Sequence, residues 1–214
     1  MRQKIKLIIS LALNVIFLTL EIVFLKMNIE RFQESSYHYF TVIANLLGAI
    51  FVAQFFFFQF FYLFKNKKPP IFSYILYYMG TTSLFFVLLI SLIIFYPQIP
   101  QVMDNELVIL HVVCPLIMFI NFMFFIDDGQ LVFLDSLFSL VPVIIYEIVI
   151  GSLISSNLIT APYSFIDPNM TKLWIIVIYY VLVLVMDYIF SAIMLMYYPK
   201  GQELTSTIIG YKRK

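Results

Sequence analysis

Six apolar runs, Leu7–Leu25, Tyr39–Phe64, Ser73–Tyr96, Leu107–Ile126, Leu131–Gly151 and Leu173–Tyr198, follow one another with only short polar connections between them. A helix needs about 20 consecutive apolar residues to cross a hydrocarbon layer about 30 Å thick, and backbone inside that layer must satisfy its own hydrogen bonds. The pattern therefore predicts an all-α fold, a polytopic bundle of six transmembrane helices forming a single domain over residues 1–214. Composition agrees: 63% of the residues are hydrophobic and 12% charged, against roughly a quarter charged in soluble domains. A formal net charge of +1 leaves no basic face for a nucleic acid. The single cysteine, Cys114, excludes an internal disulfide. Arg2, Lys4 and Lys6 ahead of an apolar run resemble the start of a secretory signal, but no small-residue cleavage site closes the run, so it is expected to remain as the first helix.

Basic residues set the expected orientation, because lysine and arginine accumulate in cytoplasmic loops. With the N-terminus inside, Arg2, Lys4, Lys6, Lys65, Lys67, Lys68, Lys200, Lys212, Arg213 and Lys214 are cytoplasmic, and only Lys26, Arg31 and Lys172 fall outside. Both termini are accordingly expected in the cytoplasm, and the chain is expected to be an integral membrane protein.

Polar side chains within such spans are costly and point to function. Thr41 and Asn45 lie one turn apart on one face of the second helix, with His38 three residues earlier on the same stripe. In the expected topology they sit just below the outer surface. His111 lies about one turn into the fourth helix from that side, Glu147 near the outer end of the fifth and Glu21 near the outer end of the first. Four helices thus bring polar groups to one level. Pro115 stands four residues after His111, where it removes the hydrogen bond to the carbonyl at 111 and should bend the helix. Pro142 and Tyr146 repeat the spacing in the fifth helix.

Other residues read as structural. Cys114 is expected to be a buried, unreactive thiol. His38 reads as an interfacial histidine, and Asp187, deep in the sixth helix, as a hydrogen-bonded structural group. Phe55 to Phe58, with Phe60 and Phe61, supply core and lipid-facing bulk, and Met103, Met118 and Met123 adaptable packing. The loop Ser152–Lys172, with Pro162, Tyr163, Phe165 and Pro168, reads as an ordered aromatic cap anchored at the interface.

The ordered set Tyr39-Phe40-Thr41 with Asn45, Leu110-His111 with Pro115, Pro142 with Tyr146, and Pro162-Tyr163-Ser164-Phe165-Ile166-Asp167 resembles the androgen-induced gene 1 family, in particular its bacterial Pr6Pr-type branch. The likeness runs from the second helix to the start of the sixth. It implies a multi-pass hydrolase that cleaves fatty acid esters of hydroxy fatty acids with a threonine and a histidine, which fall on Thr41 and His111. Ala44 stands where a serine often precedes the asparagine, and Asn121-Phe122 where an Asp-Trp pair is common; these departures bear on substrate preference.

The implied chemistry suits the residues. A threonine hydroxyl needs an adjacent base, which histidine can be near neutral pH. A third group should orient the imidazole, with Glu147 or Glu21 the expected carboxylate and Tyr146 a neutral option. Asn45 could donate to a developing oxyanion or serve as glue between helices. Two readings follow: a membrane-embedded hydrolase of lipid (fatty acyl) esters fed sideways from the outer leaflet, or a small transporter or receptor holding a solute or lipid in the same polar layer. No cofactor is implied, and two histidines with scattered carboxylates show no metal-ligand spacing. No lysine lies deep in a span to form a retinal Schiff base.

Overall fold

The computed structural model describes residues 2–65, 67–98, 106–126 and 131–208; Met103 and the three terminal basic residues, Lys212, Arg213 and Lys214, lie outside them. Six helical elements result. Helix α1 spans Arg2–Phe32 and passes through a 3-10 segment, Gln33–His38, into α2, Phe40–Lys65. Helix α3 spans Ile71–Ile90 and continues through a π turn at Ser91–Phe95. Helix α4 is composite: Glu106–Val108, a π turn at Ile109–Val113, an α segment Cys114–Ile120 and a second π turn at Asn121–Phe125. Helix α5 begins as 3-10 over Phe133–Ser139 and runs as α-helix over Leu140–Ser155, and α6 spans Leu173–Ile208. No strand occurs among the described residues.

The all-α architecture is the expected one. Five helices carry segments long and apolar enough to cross a membrane: Gln3–Phe32, Phe40–Lys65, Ile71–Ile93, Phe133–Ser155 and Leu173–Tyr198. In α4 the apolar helical run, Ile109–Phe125, is shorter. Around an apolar core that includes Phe17, Phe55, Tyr77 and Phe122, burial departs from that of a water-soluble protein in two respects. Ser10, Asn14, Asn45, Gln59, Thr81, Asn121 and Ser139 are buried, while Ile22, Phe57, Phe64, Trp174, Val177 and Met196 are exposed. Apolar surface of that extent is stable only against another apolar phase, which makes this an integral membrane protein.

Helix α3 is the centre of the bundle. It packs against α2, α4, α5 and α6, and 67% of its membrane-length window is buried, against 11% in α6, which borders lipid. Helices α2 and α3 approach closely, where a Cβ on Gly80 would come within 3.3 Å of the Gly48 Cα and one on Gly48 within 2.8 Å of Leu84 Cδ1. Small residues let two backbones meet in this way, which replaces the hydrophobic drive that lipid cannot supply. At the far end of α5, Asn157 takes a left-handed φ of 56°. The N–H groups of Asn157 and Leu158 return to the carbonyls of Ile154 and Leu153, a Schellman stop that turns the chain into the Ser156–Lys172 connection.

The basic-residue asymmetry leads to an expected result for sidedness. A cysteine replacing Lys67, in a Cys114→Ser background, should react with an impermeant maleimide only after the cells are opened. Labelling from outside intact cells would invert the topology.

Candidate active site

The site forms where α2 begins and α4 unwinds. Thr41 is the second residue of α2, and its hydroxyl lies 3.2 Å from His111 Nε2. His111 sits in the π turn Ile109–Val113 and is 7% exposed. Its other ring nitrogen, Nδ1, lies 2.8 Å from the Leu107 carbonyl oxygen. A carbonyl can only accept, so Nδ1 carries the proton. In the neutral ring Nε2 is then an acceptor, and the Thr41 hydroxyl is the donor facing it. The two side chains thus hold the polarity that proton transfer from threonine to histidine requires.

The proline four residues beyond His111 explains the local backbone. The Cys114 N–H bonds to the Ile109 carbonyl, five residues back. The next bond of that π ladder would run from residue 115 to the Leu110 carbonyl, but Pro115 has no N–H. The ladder therefore stops, α-helix resumes with Pro115 in its first turn, and the Leu110 carbonyl is left over. Asn45 Nδ2 approaches that oxygen at 3.4 Å and donates to the Thr41 carbonyl at 2.7 Å. The expected disturbance over residues 111–115 is thus a π turn two residues earlier in the chain, of the kind that often marks functional sites in helices.

Asn45 is fully buried and both its amide hydrogens face backbone carbonyls, so it ties α2 to α4 and is not aimed at an oxyanion. None of the three expected orienting groups holds the imidazole; the Leu107 carbonyl does so instead. Glu21 is fully buried beside the Cys114 thiol. Tyr146 donates to the His38 carbonyl at 2.7 Å and packs edge-on against Phe40. Glu147 lines a cavity, described next, and its Oε1 is buried with no hydrogen-bond partner. Pro142 does not break α5 at the polar level; it stands three residues into the α-helical part, where the 3-10 turn ends.

A cavity of about 360 Å³ lies between α3, α5, α6 and the start of α2. Its wall includes Thr41, Tyr146, Glu147, Tyr163 and Tyr180, with Phe86, Val143 and Met186 among its apolar lining. That size falls in the range of small-molecule sites. Thr41 reaches the cavity while His111 stands behind it, so a ligand would meet the hydroxyl first.

Tyr163 and Phe165 enter this wall from the connection between α5 and α6, which does more than cap the bundle. Its 3-10 turn, Ser164–Ile166, is held by Thr171 Oγ1 donating to the Ser164 carbonyl at 3.1 Å and by the Asn169 N–H on Asp167 Oδ1 at 2.8 Å. The Tyr163 ring is stacked between Phe95 and Phe165, with centroids at 5.7 and 5.2 Å, and meets Tyr39 edge-on. Burial pushes its phenol far above the ordinary tyrosine range, so it stays a neutral donor. The Phe40 N–H lies against the hydroxyls of Tyr163 and Tyr146.

A second buried polar cluster occupies the other half of the bundle. Asn14 Nδ2 donates to Gln59 Oε1 at 2.8 Å, Gln59 Nε2 to Ser10 Oγ at 2.9 Å, Tyr77 Oη to Asn14 Oδ1 at 3.0 Å and Asn121 Nδ2 to Asn14 Oδ1 at 2.8 Å. It joins α1, α2, α3 and α4 and accounts for Asn121. No group of three or more metal-ligating side chains occurs among the described residues. No family model, curated protein or solved structure matches the chain.

Proposed function

We propose that the protein is a membrane-embedded hydrolase of lipid (fatty acyl) esters, acting in the manner of the androgen-induced gene 1 family that its motifs resemble. The observation that carries this reading is the Thr41 hydroxyl 3.2 Å from His111 Nε2, with the tautomer fixed by Leu107. In the first step Thr41 Oγ1 attacks the ester carbonyl and its proton passes to His111 Nε2. The tetrahedral oxyanion then collapses, and His111 returns the proton to the departing alcohol. In the second step water attacks the acyl-threonine, His111 again takes a proton and then returns it to Thr41 as the carboxylic acid leaves.

Charge on the oxyanion would develop beside the first turn of α2. The Val42 and Ile43 N–H groups already bond to the Tyr39 carbonyl and the Phe40 N–H lies against the tyrosine hydroxyls, so it is the positive end of the helix dipole at Thr41 that would face it. The neutral phenol of Tyr163, hydrogen-bonded to Tyr146, lies in the same wall. The cavity between α3, α5 and α6 supports delivery of an acyl chain from within the bilayer.

Incubation of the purified protein with a fluorophosphonate ester, followed by mass spectrometric mapping, tests the reading. Modification is expected on Thr41 and should be lost in His111→Ala. A protein that stays unmodified, or is modified elsewhere, is not this enzyme.

A further inference from the structure

Asp187 lies near the middle of the α6 span, 1% exposed, and neither of its carboxylate oxygens has a hydrogen-bond partner. The structure thus departs from the hydrogen-bonded role expected of this residue. Nothing basic answers it either: among the described residues no lysine, arginine or histidine acts on the group. A carboxyl group at that depth is among the costliest a membrane protein can carry, and it marks an ion or proton site.

What surrounds Asp187 is oxygen. Ser191 follows it by one turn on the same face of α6, and Ser139, at the end of the 3-10 start of α5, stands beside it outside hydrogen-bonding geometry. Ser139 Oγ and Ser191 Oγ lie 2.9 Å apart; Ser139 Oγ also reaches the Ser136 carbonyl at 2.8 Å, and Ser191 Oγ the Tyr188 carbonyl at 2.9 Å. Their hydrogens are thereby committed, as is that of Tyr78, which goes to the Ser191 carbonyl at 2.9 Å. Ser136 Oγ, one 3-10 turn before Ser139, is fully buried and also without a partner. Ser139 and Ser191 therefore have lone pairs, not hydrogens, left for Asp187. Oxygens arranged in this way repel one another unless something positive lies between them.

Charge balance selects the ion. One carboxylate among neutral oxygens is neutralised by a single positive charge, whereas a divalent ion would leave an unpaired charge in apolar surroundings. The donor set is all oxygen, which suits a hard ion, and its close spacing suits a small one. The 3-10 segment Phe133–Ser139 agrees, since irregular helix at membrane depth is where monovalent cations are held. Tyr78 on α3, Asp135 on α5 and Tyr188 on α6 are the other titratable groups nearby; the end of α4 that packs on α6, Asn121–Phe125, carries none.

We propose that Asp187, with Ser136, Ser139 and Ser191, forms a binding site for one sodium-sized monovalent cation. The ion would tie α5 to α6 beneath the cavity, whose lining includes the adjacent Met186. Thr41 and His111 take no part in it, so it does not rest on the hydrolase reading.

The test is titration of the purified full chain, in sodium-free and mildly alkaline detergent buffer, with radioactive sodium. Saturable uptake of one ion per chain is expected, displaced by lithium and by acid but not by choline. The melting temperature should rise when sodium replaces choline at equal ionic strength. Asp187→Asn should weaken sodium binding at least about 100-fold and make the melt indifferent to sodium, and Ser139→Ala should weaken binding about tenfold. Should Asp187→Asn not fold, Ser139→Ala and Ser191→Ala decide the matter. Absence of saturable sodium binding would overturn the proposal, as would binding that these variants leave unchanged, or calcium held more tightly than sodium. A melt that responds to pH through Asp187 but not to sodium would give the site to a proton and overturn it too.

Discussion

Thr41→Ala and His111→Ala are each expected to lower acyl-ester turnover at least about 1,000-fold, and the double variant to lose little more. A nucleophile and its base act as one unit, so removing either abolishes the same step. The geometry makes the dependence mutual: the Thr41 hydroxyl donates to Nε2 at 3.2 Å only because Nδ1 is committed to the Leu107 carbonyl at 2.8 Å. His111→Gln should not rescue the rate, since an amide cannot take up the proton. Both variants should still run as folded protein in detergent, because neither residue belongs to the buried amide cluster of Asn14, Gln59 and Asn121. Ester turnover measured on detergent-purified protein, with a thermal melt as the folding control, checks this. Full activity in Thr41→Ala would end the threonine mechanism.

The spans were legible because length and hydrophobicity alone decide whether a helix can cross a bilayer. The run Phe40–Lys65 needs no further information to be assigned. Depth was legible too: counting residues from the ends of the second and fourth helices brought Thr41 and His111 to one level. Helix rotation was not. Whether Asn14 or Gln59 faces lipid or a neighbour depends on packing between non-adjacent segments, and the inner cluster, with its amides meeting across α1, α2 and α4, was visible only as isolated polar letters.

The orienting group of His111 was misread for a different reason. Reasoning from side chains looks for a carboxylate, and Glu147, Glu21 and Tyr146 were the available candidates. The acceptor is the Leu107 carbonyl, a group that every residue has and that no letter of the sequence distinguishes. Tyr163 lay within a motif already singled out, but a proline-bounded aromatic loop at a membrane surface reads first as an anchor. Only its stacking between Phe95 and Phe165 turns it toward the cavity.

Asn45 permits a test that separates structure from catalysis at the same spot. If its amide stabilised an oxyanion, Asn45→Ala would cut kcat by about 100- to 1,000-fold. The geometry leads to a different expectation. The Thr41 carbonyl keeps a donor from its own helix when the side chain is lost, whereas the Leu110 carbonyl has no replacement, because the residue that would reach it in the π ladder is Pro115. Asn45→Ala should therefore cost about 1 kcal/mol of stability and lower kcat by less than about tenfold, through slackening of the α2–α4 contact that holds Thr41 against His111. The argument extends to a cycle. Pro115→Ala restores an N–H at position 115 that can reach the Leu110 carbonyl, so in the Asn45→Ala background it should recover part of the lost stability, while in the native background it should gain less. Thermal melts of the four proteins in one detergent measure that coupling. Strict additivity would mean that Asn45 and Pro115 do not meet at the Leu110 carbonyl, and a kcat loss beyond about 100-fold would return the asparagine to the oxyanion.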